Sequence, residues 1–448
     1  MNEYELVLRR GTIVTPEHVE TGDIAIAEGK IVAIGNVTGS GREEVDARDL
    51  HVFAGFIDAH VHFNEPGRAE WEGFATGSQA LAAGGGTLFF DMPLNSIPPT
   101  TTAPAFDQKL AVARGRALVD FCLWGGLVPD NLSQLEALHE RGVIGFKAFM
   151  VDSGVTEFEP VNHKQLREGM RRVAALQSIV AVHAEWPGLI KHPPLDRKTV
   201  RDFLESRPVK AEQEAIRVAL DLAGETGCAL HVVHVSAGSS IDLIADAKQK
   251  AVDVTCETCP HYLLFTDADM IKLGAVAKCA PPFRVSLERD LLWEQLAKGT
   301  ISFVASDHSP APWALKNKSD FFQVWGGISS CQHAFPIFLA EAHHRHGLDL
   351  KQICRWTSTN IADRFRLGNQ KGRIAVGLDA DLTVARLEQE FTIHSRDLLY
   401  RHRHTPYLGR TVRCRVLRTM VRGQHVFADG KIVSQPIGRF VKSKNNQR

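Results

Sequence analysis

Short apolar segments recur through the middle of this 448-residue chain, and helical patterns separate most of them. The eight segments are HVFAGFID, GTLFFDM, DFCLWGG, VIGFKAF, SIVAVHA, ALHVVHV, AVDVTCE and TISFVAS. Continuous apolar strands that alternate with helices are typical of parallel sheets covered on both faces. Eight such units predict a (β/α)8 barrel. An open doubly wound sheet is the alternative, but there is no glycine-rich nucleotide-binding motif to favour it.

Both ends of the chain have a different pattern. Polar and apolar residues alternate around glycine turns in YELVLRRGTIVT and GDIAIAEGKIVAIG, and again in GRTVRCRVLRTMVRGQHVFADGKIV. This alternation predicts antiparallel strands. We therefore predict an α/β fold: a (β/α)8 TIM-type barrel over residues 51–370, with a small β-sandwich domain built from residues 1–50 and 371–448.

The composition argues against several classes of function. Lys plus Arg and Asp plus Glu both total 52, without the basic excess of nucleic-acid-binding proteins. No apolar run approaches the roughly 18 residues of a membrane helix, and the first residues lack a signal-peptide pattern. Among eight scattered cysteines, Cys256 and Cys259 form the one Cys-x-x-Cys pair, which we interpret as structural. We expect a cytoplasmic protein that binds neither nucleic acid nor membrane.

Chemically active side chains lie at or near the ends of five apolar segments. In a parallel barrel these strand ends meet at the face where active sites form. The side chains are those of His60, His62, Lys147, His183, His234 and Asp307. His60 and His62 are two residues apart, so a strand points both to the same side. That arrangement suits a metal with imidazole ligands.

Each of these residues has a simpler interpretation when it is taken alone. His183 could be a core histidine bonded to a backbone carbonyl, and Asp307 could cap a turn. His231 and His234 are three residues apart and face opposite sides of a strand, and His234 lies nearer its carboxyl end. Lys147 lies among apolar neighbours, where an ammonium ion is costly to bury, unless its head reaches the surface.

The unusual position of Lys147 suggests a chemical modification. Burial lowers the pKa of a lysine, and a neutral amine reacts with carbon dioxide to give an anionic carbamate. The two carbamate oxygens can bridge two cations. Imidazole with carboxylate and carbamate oxygens suits zinc, and cobalt, manganese or iron fit the same ligands.

Together the six residues predict a binuclear centre. His60 and His62, joined by Asp307, would hold one divalent cation. His183 and His234 would hold the second. Two such cations make hydroxide available at neutral pH, and Asp307 could pass its proton to a leaving nitrogen. We expect metal-assisted hydrolysis of an amide-like bond.

Motifs along nearly the whole chain carry a family resemblance. They are GKIVAIG, GFIDAHVHFNEPG, GFKAFM, VHAE, HVVHVS, CPHYL, APPFR, SDHSP and KGRIAVGLDADLTV. With them the chain resembles the cyclic-amidase branch of the amidohydrolase superfamily, which contains dihydroorotases, hydantoinases and allantoinases. The resemblance implies a barrel with a small β domain, the six metal ligands named above with Lys147 carboxylated, and a homo-oligomer, either a dimer or a tetramer.

Within this branch the chain is most similar to allantoinases. Dihydroorotases have a carboxylate-binding arginine at the position of Asn64, and its absence favours a neutral, amide-rich substrate. Hydantoinases have a tyrosine at the position of Asp152, and the segment DMPLNSIPPT resembles the allantoinase form. The resemblance implies hydrolysis of allantoin to allantoate in purine catabolism. A hydantoinase, a dihydropyrimidinase or a dihydroorotase is the alternative, and a non-catalytic scaffold is a third possibility.

Allantoin is a neutral ring with a ureido group, so it presents several hydrogen-bond donors and acceptors. Candidate substrate-binding residues are Asn64, Asn95, Ser309 and the backbone around Cys279. Each is equally compatible with a turn or a cap. For His261, in CPHYL, we favour a buried structural role over a substrate contact.

Overall fold

The computed structural model describes residues 3–191 and 198–443. The strands in these ranges are β1 (Tyr4–Val14), β2 (Val19–Ala27), β3 (Lys30–Gly35), β4 (Gly41–Asp46), β5 (His51–Ala54), β6 (Phe56–Val61), β7 (Gly86–Asp91), β8 (Asp120–Leu123), β9 (Gly125–Gly126), β10 (Phe146–Phe149), β11 (Ile179–His183), β12 (Ala229–Val232), β13 (Val254–Thr258), β14 (Phe303–Val304), β15 (Leu382–Thr392), β16 (Thr411–Val421), β17 (Gln424–Ala428) and β18 (Lys431–Ile432).

The helices lie mainly between the strands of the middle region. They are α1 (Phe74–Ala83), α2 (Ala103–Ala113), α3 (Leu135–Arg141), α4 (His163–Ala175), α5 (Val200–Ser206), α6 (Val209–Thr226), α7 (Ile241–Gln249), α8 (Pro260–Leu264), α9 (Asp267–Leu273), α10 (Ser286–Ala297), α11 (Trp313–Lys316), α12 (Cys331–Ala340), α13 (Leu350–Cys354) and α14 (Asn360–Arg364). Among the described helices, none is long and apolar enough to cross a membrane.

Two parallel sheets form the middle of the chain. One has the order β6-β7-β8, and the other has the order β14-β13-β12-β11-β10-β9. Only Trp124 separates β8 from β9, so one extended segment enters both sheets. Each of the eight apolar segments contains at least one of these strands, and all residues of β6, β7, β10 and β11 are buried. The predicted α/β organisation is confirmed.

The end of the described chain occupies the edge of β8. The Phe121 N–H donates to the Arg439 carbonyl at 3.0 Å, and the Val441 N–H donates to the Phe121 carbonyl at 2.8 Å. Because these contacts use backbone groups of β8, that strand pairs with the C-terminal segment here and with β7 on its other side. At Phe121 the neighbour of β8 is therefore the C-terminal segment, whereas the Leu123 carbonyl at the end of β8 accepts the Ile144 N–H at 2.9 Å, just before β10.

Strands from both ends of the chain join in one nine-stranded sheet. Its order is β18-β17-β16-β15-β5-β1-β2-β3, and β4 pairs with β1. Most neighbours are antiparallel as predicted, but β1 is parallel to both β4 and β5. Alternation of polar and apolar residues determines which face is buried and not which way a strand runs, so the sequence pattern could not reveal this. The domain limits at residues 50 and 370 stay predictions.

The first apolar segment is divided between two sheets. Its first four residues form β5, which pairs with β15, and its continuation forms β6 of a parallel sheet. The chain passes between them at Gly55, whose N–H donates to the Asp381 carbonyl at 2.9 Å. A Cβ at Gly55 would lie 2.1 Å from Thr87 Oγ1, so only glycine fits there without rearrangement.

A buried charge cluster links the parallel strands to the nine-stranded sheet. The Lys371 ammonium lies 2.6 Å from Asp120, at the start of β8, and 2.6 Å from Asp381, just before β15. It also lies 2.9 Å from Asp379, and Arg422 pairs with Asp120. Burial alone would lower the pKa of Lys371, but the three carboxylates raise it above its usual value. An ammonium ion thus holds this acidic group together.

Replacing Lys371 with Met should destabilise the fold, because it leaves three buried carboxylates without their ammonium partner. We expect the free energy of unfolding to fall by about 3–5 kcal/mol, measured by urea denaturation. The matched control is Lys431→Met in β18, where the lysine is exposed and should be dispensable. A loss for Lys371→Met as small as that of the control would contradict a stabilising role for the cluster.

Candidate metal centre and active-site cavity

The predicted metal ligands lie at the carboxyl ends of strands from both parallel sheets. His60 lies in β6, Lys147 lies in β10, and His183 is the last residue of β11. His234 follows the end of β12 by two residues, and Asp307 follows the end of β14 by three. Parallel strands place their carboxyl ends on one side of a sheet, which brings these distant parts of the chain together.

His60, His62 and Asp307 form one compact group. Their potential ligand atoms all lie within 4.8 Å of one another. His60 Nε2 lies 3.3 Å and His62 Nε2 lies 3.5 Å from the same oxygen of Asp307. Atoms bound at about 2.1 Å to one tetrahedral zinc ion lie about 3.4 Å apart. The spacing is therefore that of ligands sharing one metal ion.

The electrostatics of this group favour an ionised Asp307. Burial alone would raise the pKa of Asp307, but His60, His62 and His234 hold it below its usual range. Burial lowers the pKa of His60, although Asp307 and Glu257 oppose this effect. A neutral imidazole and an ionised carboxylate are the forms that bind metal.

His183 and His234 form a second group beside the first. His183 Nδ1 lies 3.1 Å from His234 Nε2, a distance that suits either a hydrogen bond between the rings or two ligands of one metal ion. The rings of His60 and His234 are 5.4 Å apart, so the two groups adjoin. Burial lowers the pKa of His234 well below its usual value, and the neighbouring His183 contributes to this. Burial also lowers the pKa of His183, so it favours the neutral form of both rings.

Lys147 is completely buried next to these groups. Its ammonium has no hydrogen-bond partner in the described part of the chain and lies 5.1 Å from the centre of the Phe149 ring. Burial lowers its pKa to about 7, although Glu257 and Asp307 act in the opposite direction. A buried amine without a partner is costly when charged, so the neutral form is accessible. This donor set of imidazoles, a carboxylate and an unpartnered amine fits divalent cations.

Glu257 in β13 is a site residue that sequence reasoning missed. Its carboxylate lies 2.6 Å from His60 Nδ1 and 3.1 Å from His231 Nε2, and it accepts the His234 N–H at 3.3 Å. Burial alone would raise the pKa of Glu257, but His60 and His231 lower it to about 2. An ionised Glu257 holds a proton on His60 Nδ1 and leaves Nε2 free to bind metal. His231 contacts the second oxygen of this carboxylate.

Glu185 orients the ring of His183, as Glu257 orients that of His60. Its carboxylate lies 2.8 Å from His183 Nε2 and 2.5 Å from Arg207. Burial alone would raise the pKa of Glu185, but Arg207 and His183 lower it to about 2. His183 Nδ1 is thereby left free to face His234. The available sequence signal was that Glu185 follows His183 by two residues, which places both on one side of an extended segment.

Four residues of the site or its surroundings have strained backbone, among twelve described non-glycine residues with a positive φ angle. Positive φ angles occur at Asn64 (65°), Asn95 (69°), His234 (38°) and Asp307 (45°). Such angles are uncommon outside glycine, although Asn, Asp and His tolerate them better than most residues. Strained backbone persists where surrounding contacts hold it, often at functional sites. At His234 one such contact is the hydrogen bond to Glu257.

A cavity of about 420 Å³ opens over both groups of histidines. Five of the six predicted metal ligands line it: His60, His62, His183, His234 and Asp307. Three of the four substrate-binding candidates also line it: Asn95, Cys279 and Ser309. Asn64 is not among the described lining residues, and its Nδ2 donates to the Pro310 carbonyl at 3.4 Å.

The cavity has further lining residues that sequence reasoning did not identify. Arg207 and Lys278 contribute positive charge, and residues 322–327 form one wall. Asp152, at the position that separates hydantoinases from this chain, also lines the cavity. His261 does not; its ring packs 4.3 Å from that of Tyr262, and burial lowers its pKa to about 4.

All eight cysteines are buried and free of disulfide bonds. The pair Cys256 and Cys259 lies at the end of β13 and just after it. Burial raises the pKa of Cys256 to about 11 and that of Cys259 well above its usual value. Both are therefore unreactive thiols, in agreement with the structural role expected for them.

Comparison with known proteins gives a consistent result over the full chain. Residues 51–433 match the sequence profile of the amidohydrolase family. The chain is 49% identical to an allantoinase of Rubrobacter xylanophilus over 453 residues, covering 100% of this chain and 99% of that protein. It is 47% identical to an allantoinase of Solibacter usitatus, covering 99% of this chain and 98% of that protein.

Comparison with solved structures also identifies cyclic-amide hydrolases as similar proteins. The chain superposes on the L-hydantoinase (dihydropyrimidinase) of Arthrobacter aurescens with a TM-score of 0.95 and 32% identity, covering 98% of this chain and 100% of that one. A D-hydantoinase matches with a TM-score of 0.91 and 26% identity, covering 99% and 100% of the two chains. Sequence profile, relatives and structures agree, and the chain belongs to the amidohydrolase family.

Proposed function

We propose that this chain is an allantoinase, which hydrolyses the cyclic amide bond of allantoin to give allantoate. The observation that carries the chemistry is the convergence of two groups of metal-binding side chains at one cavity. The choice of substrate is supported by relatives named allantoinases at 38–49% identity over the full chain. Hydantoinases, which match in structure at 25–32% identity, represent the alternative ring.

Two divalent cations would be held by the six predicted ligands. His60, His62 and Asp307 would hold one, and His183 and His234 would hold the other. Carboxylation of Lys147 would give these groups a bridge, and the support for it is a buried amine with no described partner. Zinc suits this donor set. Bound cations of this kind provide Lewis acidity and make hydroxide available near neutral pH.

Asp307 is the residue proposed to move the proton. Its side chain is 13% exposed and borders the cavity, whereas His60 beside it is almost completely buried. A carboxylate in this position can accept a proton from the attacking water and donate it to the ring nitrogen as the amide bond breaks. Glu257 and Glu185 keep the histidine rings oriented throughout this transfer.

Uncharged groups in the cavity lining support an amide-rich substrate, and they lie beside the charged residues Arg207 and Lys278. Asn95, Ser309 and the backbone at Cys279 offer hydrogen-bonding groups without a net charge. The ureido group and ring carbonyls of allantoin require such donors and acceptors. Asn64 is also proposed to contribute indirectly, because its Nδ2 donates to the carbonyl of Pro310, the residue after the lining residue Ser309.

We also propose that the two parallel sheets together form one (β/α)8 barrel. In support, Val61 bridges to His308, and the His62 N–H donates to the His308 carbonyl at 2.7 Å, which links β6 to the segment after β14. Apart from β5 (His51–Ala54), the strands of the nine-stranded sheet would belong to the β-sandwich domain formed by residues 1–50 and 371–448. A cytoplasmic homo-oligomer, dimer or tetramer, follows from the resemblance and suits the free cysteines.

A steady-state assay with allantoin, hydantoin and dihydroorotate tests the proposed function. The purified, metal-loaded protein should turn over allantoin with the highest kcat/KM of the three. Preference for hydantoin or dihydroorotate would support cyclic-amide hydrolysis but would exclude allantoin as the preferred substrate. A metal-loaded protein with no activity on any of them would favour a non-catalytic scaffold.

Asp307→Asn should remove activity while most of the bound metal is kept. The amide retains an oxygen ligand but cannot accept the proton, so kcat should fall by roughly 10²–10⁴-fold. Metal content is measured by elemental analysis beside the kinetics. The control is Asp221→Asn on α6, where the side chain is 67% exposed. Near wild-type turnover in Asp307→Asn would exclude Asp307 as the proton carrier.

Lys147→Ala should abolish activity and remove a carbamate signal. With ¹³C-labelled bicarbonate, the wild-type protein should show a carbamate carbon resonance that is missing in the variant. Short-chain carboxylic acids should restore part of the activity by supplying a bridging carboxylate. Lys298→Ala, at an exposed lysine, is the control. A wild-type protein without the carbamate resonance would show that Lys147 is not carboxylated.

A further inference from the structure

One wall of the active-site cavity is an irregular segment of six residues, FQVWGG. Residues 322–327 all line the cavity, and only the first two belong to a short helical turn, Phe321–Gln323. We call these six residues the cavity wall. Because the wall is neither a strand nor a long helix, its backbone carbonyls need partners from elsewhere in the fold.

Lys278 supplies the first of these partners. Its ammonium donates to the carbonyl of Phe322 at 3.0 Å and to that of Val324 at 2.6 Å. The same ammonium lies 4.8 Å from the ring centre of Phe203 and 5.4 Å from that of Phe321. Lys278 is only 5% exposed, so these contacts replace most of its hydration.

Lys316 acts on the other half of the wall. Its ammonium donates to the carbonyls of Trp325 at 2.9 Å and Gly327 at 2.5 Å. A third bond, of 3.2 Å, goes to the carbonyl of Ala275. Lys316 is 1% exposed. Two buried lysines therefore bind four of the six carbonyls of the cavity wall.

Burial lowers the pKa of Lys278 and that of Lys316 to about 7, and both side chains are held by uncharged acceptors. In the described part of the chain, the side-chain hydrogen bonds of Lys278 and Lys316 all end on backbone carbonyls. A buried ammonium ion is costly unless its hydrogen bonds are satisfied, and bonds from a charged donor are stronger than neutral ones. Each lysine is thus stable where it lies only while the wall keeps its present shape.

Backbone contacts connect the wall to the segments that carry the lysines. The Gly327 N–H donates to the carbonyl of Lys278 itself at 2.9 Å, and the Trp325 N–H donates to the carbonyl of Leu315 at 2.9 Å. Both contacts place wall residues directly against the residues that hold them. Lys278 also precedes Cys279, another lining residue, so the wall and the Cys279 backbone are fixed together.

We propose that Lys278 and Lys316 are positioning residues that hold the cavity wall in the shape that binds substrate. They act on the backbone of residues 322–327 and not on the metal ligands. The substrate part of this inference rests on the proposed allantoinase function. Loss of either ammonium should loosen the wall and weaken substrate binding, while the metal centre stays intact.

Packing is the competing explanation for the position of the wall. The ring of Trp325 lies 4.7 Å from that of Trp71, and the ring of Phe322 lies 5.8 Å from that of Phe203. If these aromatic contacts were sufficient, a neutral side chain of similar length would replace each lysine without consequence. Methionine provides that comparison, because it keeps the length and removes the charge.

The test compares Lys278→Met and Lys316→Met with Lys318→Met, an exposed lysine of the same loop. Three quantities are measured on the full-length, metal-loaded protein: kinetics with allantoin, metal content, and hydrogen–deuterium exchange of peptides covering the wall. In both test variants we expect the KM for allantoin and the hydrogen–deuterium exchange rate of the wall peptides to rise about tenfold or more. The kcat and the metal content should stay close to wild type, and Lys318→Met should change nothing.

Arginine variants are the control for misfolding of the methionine variants. Lys278→Arg and Lys316→Arg keep a cation that can donate to carbonyls, so they should recover part of the substrate affinity and of the exchange protection. If the methionine variants do not fold, a folded neutral variant such as Lys278→Gln takes their place. The hydrogen–deuterium exchange rate of the wall should then be closer to wild type in the arginine variants than in the neutral variant.

Several results would overturn the proposal. Unchanged exchange in both methionine variants would show that packing alone holds the wall. Faster exchange with an unchanged KM would show that the wall does not shape the binding site. A joint loss of kcat and metal content would assign the lysines to the metal centre. If the wild-type protein does not hydrolyse allantoin, the proposed function fails, and hydrogen exchange still decides whether the lysines hold the wall.

Discussion

One buried carboxylate connects the two groups of histidines on which the site depends. Glu257 contacts the His60 ring, which belongs to the first group, and the backbone N–H of His234, which belongs to the second. Glu257 lies in β13, between β12 and β14 in the sheet. Its hydrogen bonds therefore connect the end of β13 to the end of β6 and to the segment after β12. Neighbouring positive φ angles at His234 and Asp307 show that the backbone there is held by tertiary contacts.

The catalytic and binding functions of the cavity are supported by different parts of the molecule. Carboxylates from β13 and from the segment after β11 orient the histidine rings. Two buried lysines, Lys278 and Lys316 at the end of α11, hold the wall on the substrate side. This division implies that a change in the wall need not disturb the metal centre. The molecule also closely matches hydantoinases in structure, and their name indicates a different ring substrate.

Local spacing in the sequence was enough to select residues that the structure brings close together. The two-residue spacing of His60 and His62 and the strand-end positions of Lys147 and His183 were readable, because parallel strands align their ends. The roles of Glu257 and Lys316 were not, because each depends on partners far away in sequence: Glu257 is 197 residues from His60. Strand direction in the terminal sheet and the division of the first apolar segment at Gly55 likewise depend on tertiary pairing.

Anomalous X-ray diffraction from crystals of the metal-loaded protein tests the central claim most directly, which is that six side chains form one binuclear centre. We predict two neighbouring metal peaks, one beside His60, His62 and Asp307 and the other beside His183 and His234. Density for a modified Lys147 side chain should lie between them. A single metal peak, or a second peak remote from His183 and His234, would contradict the account.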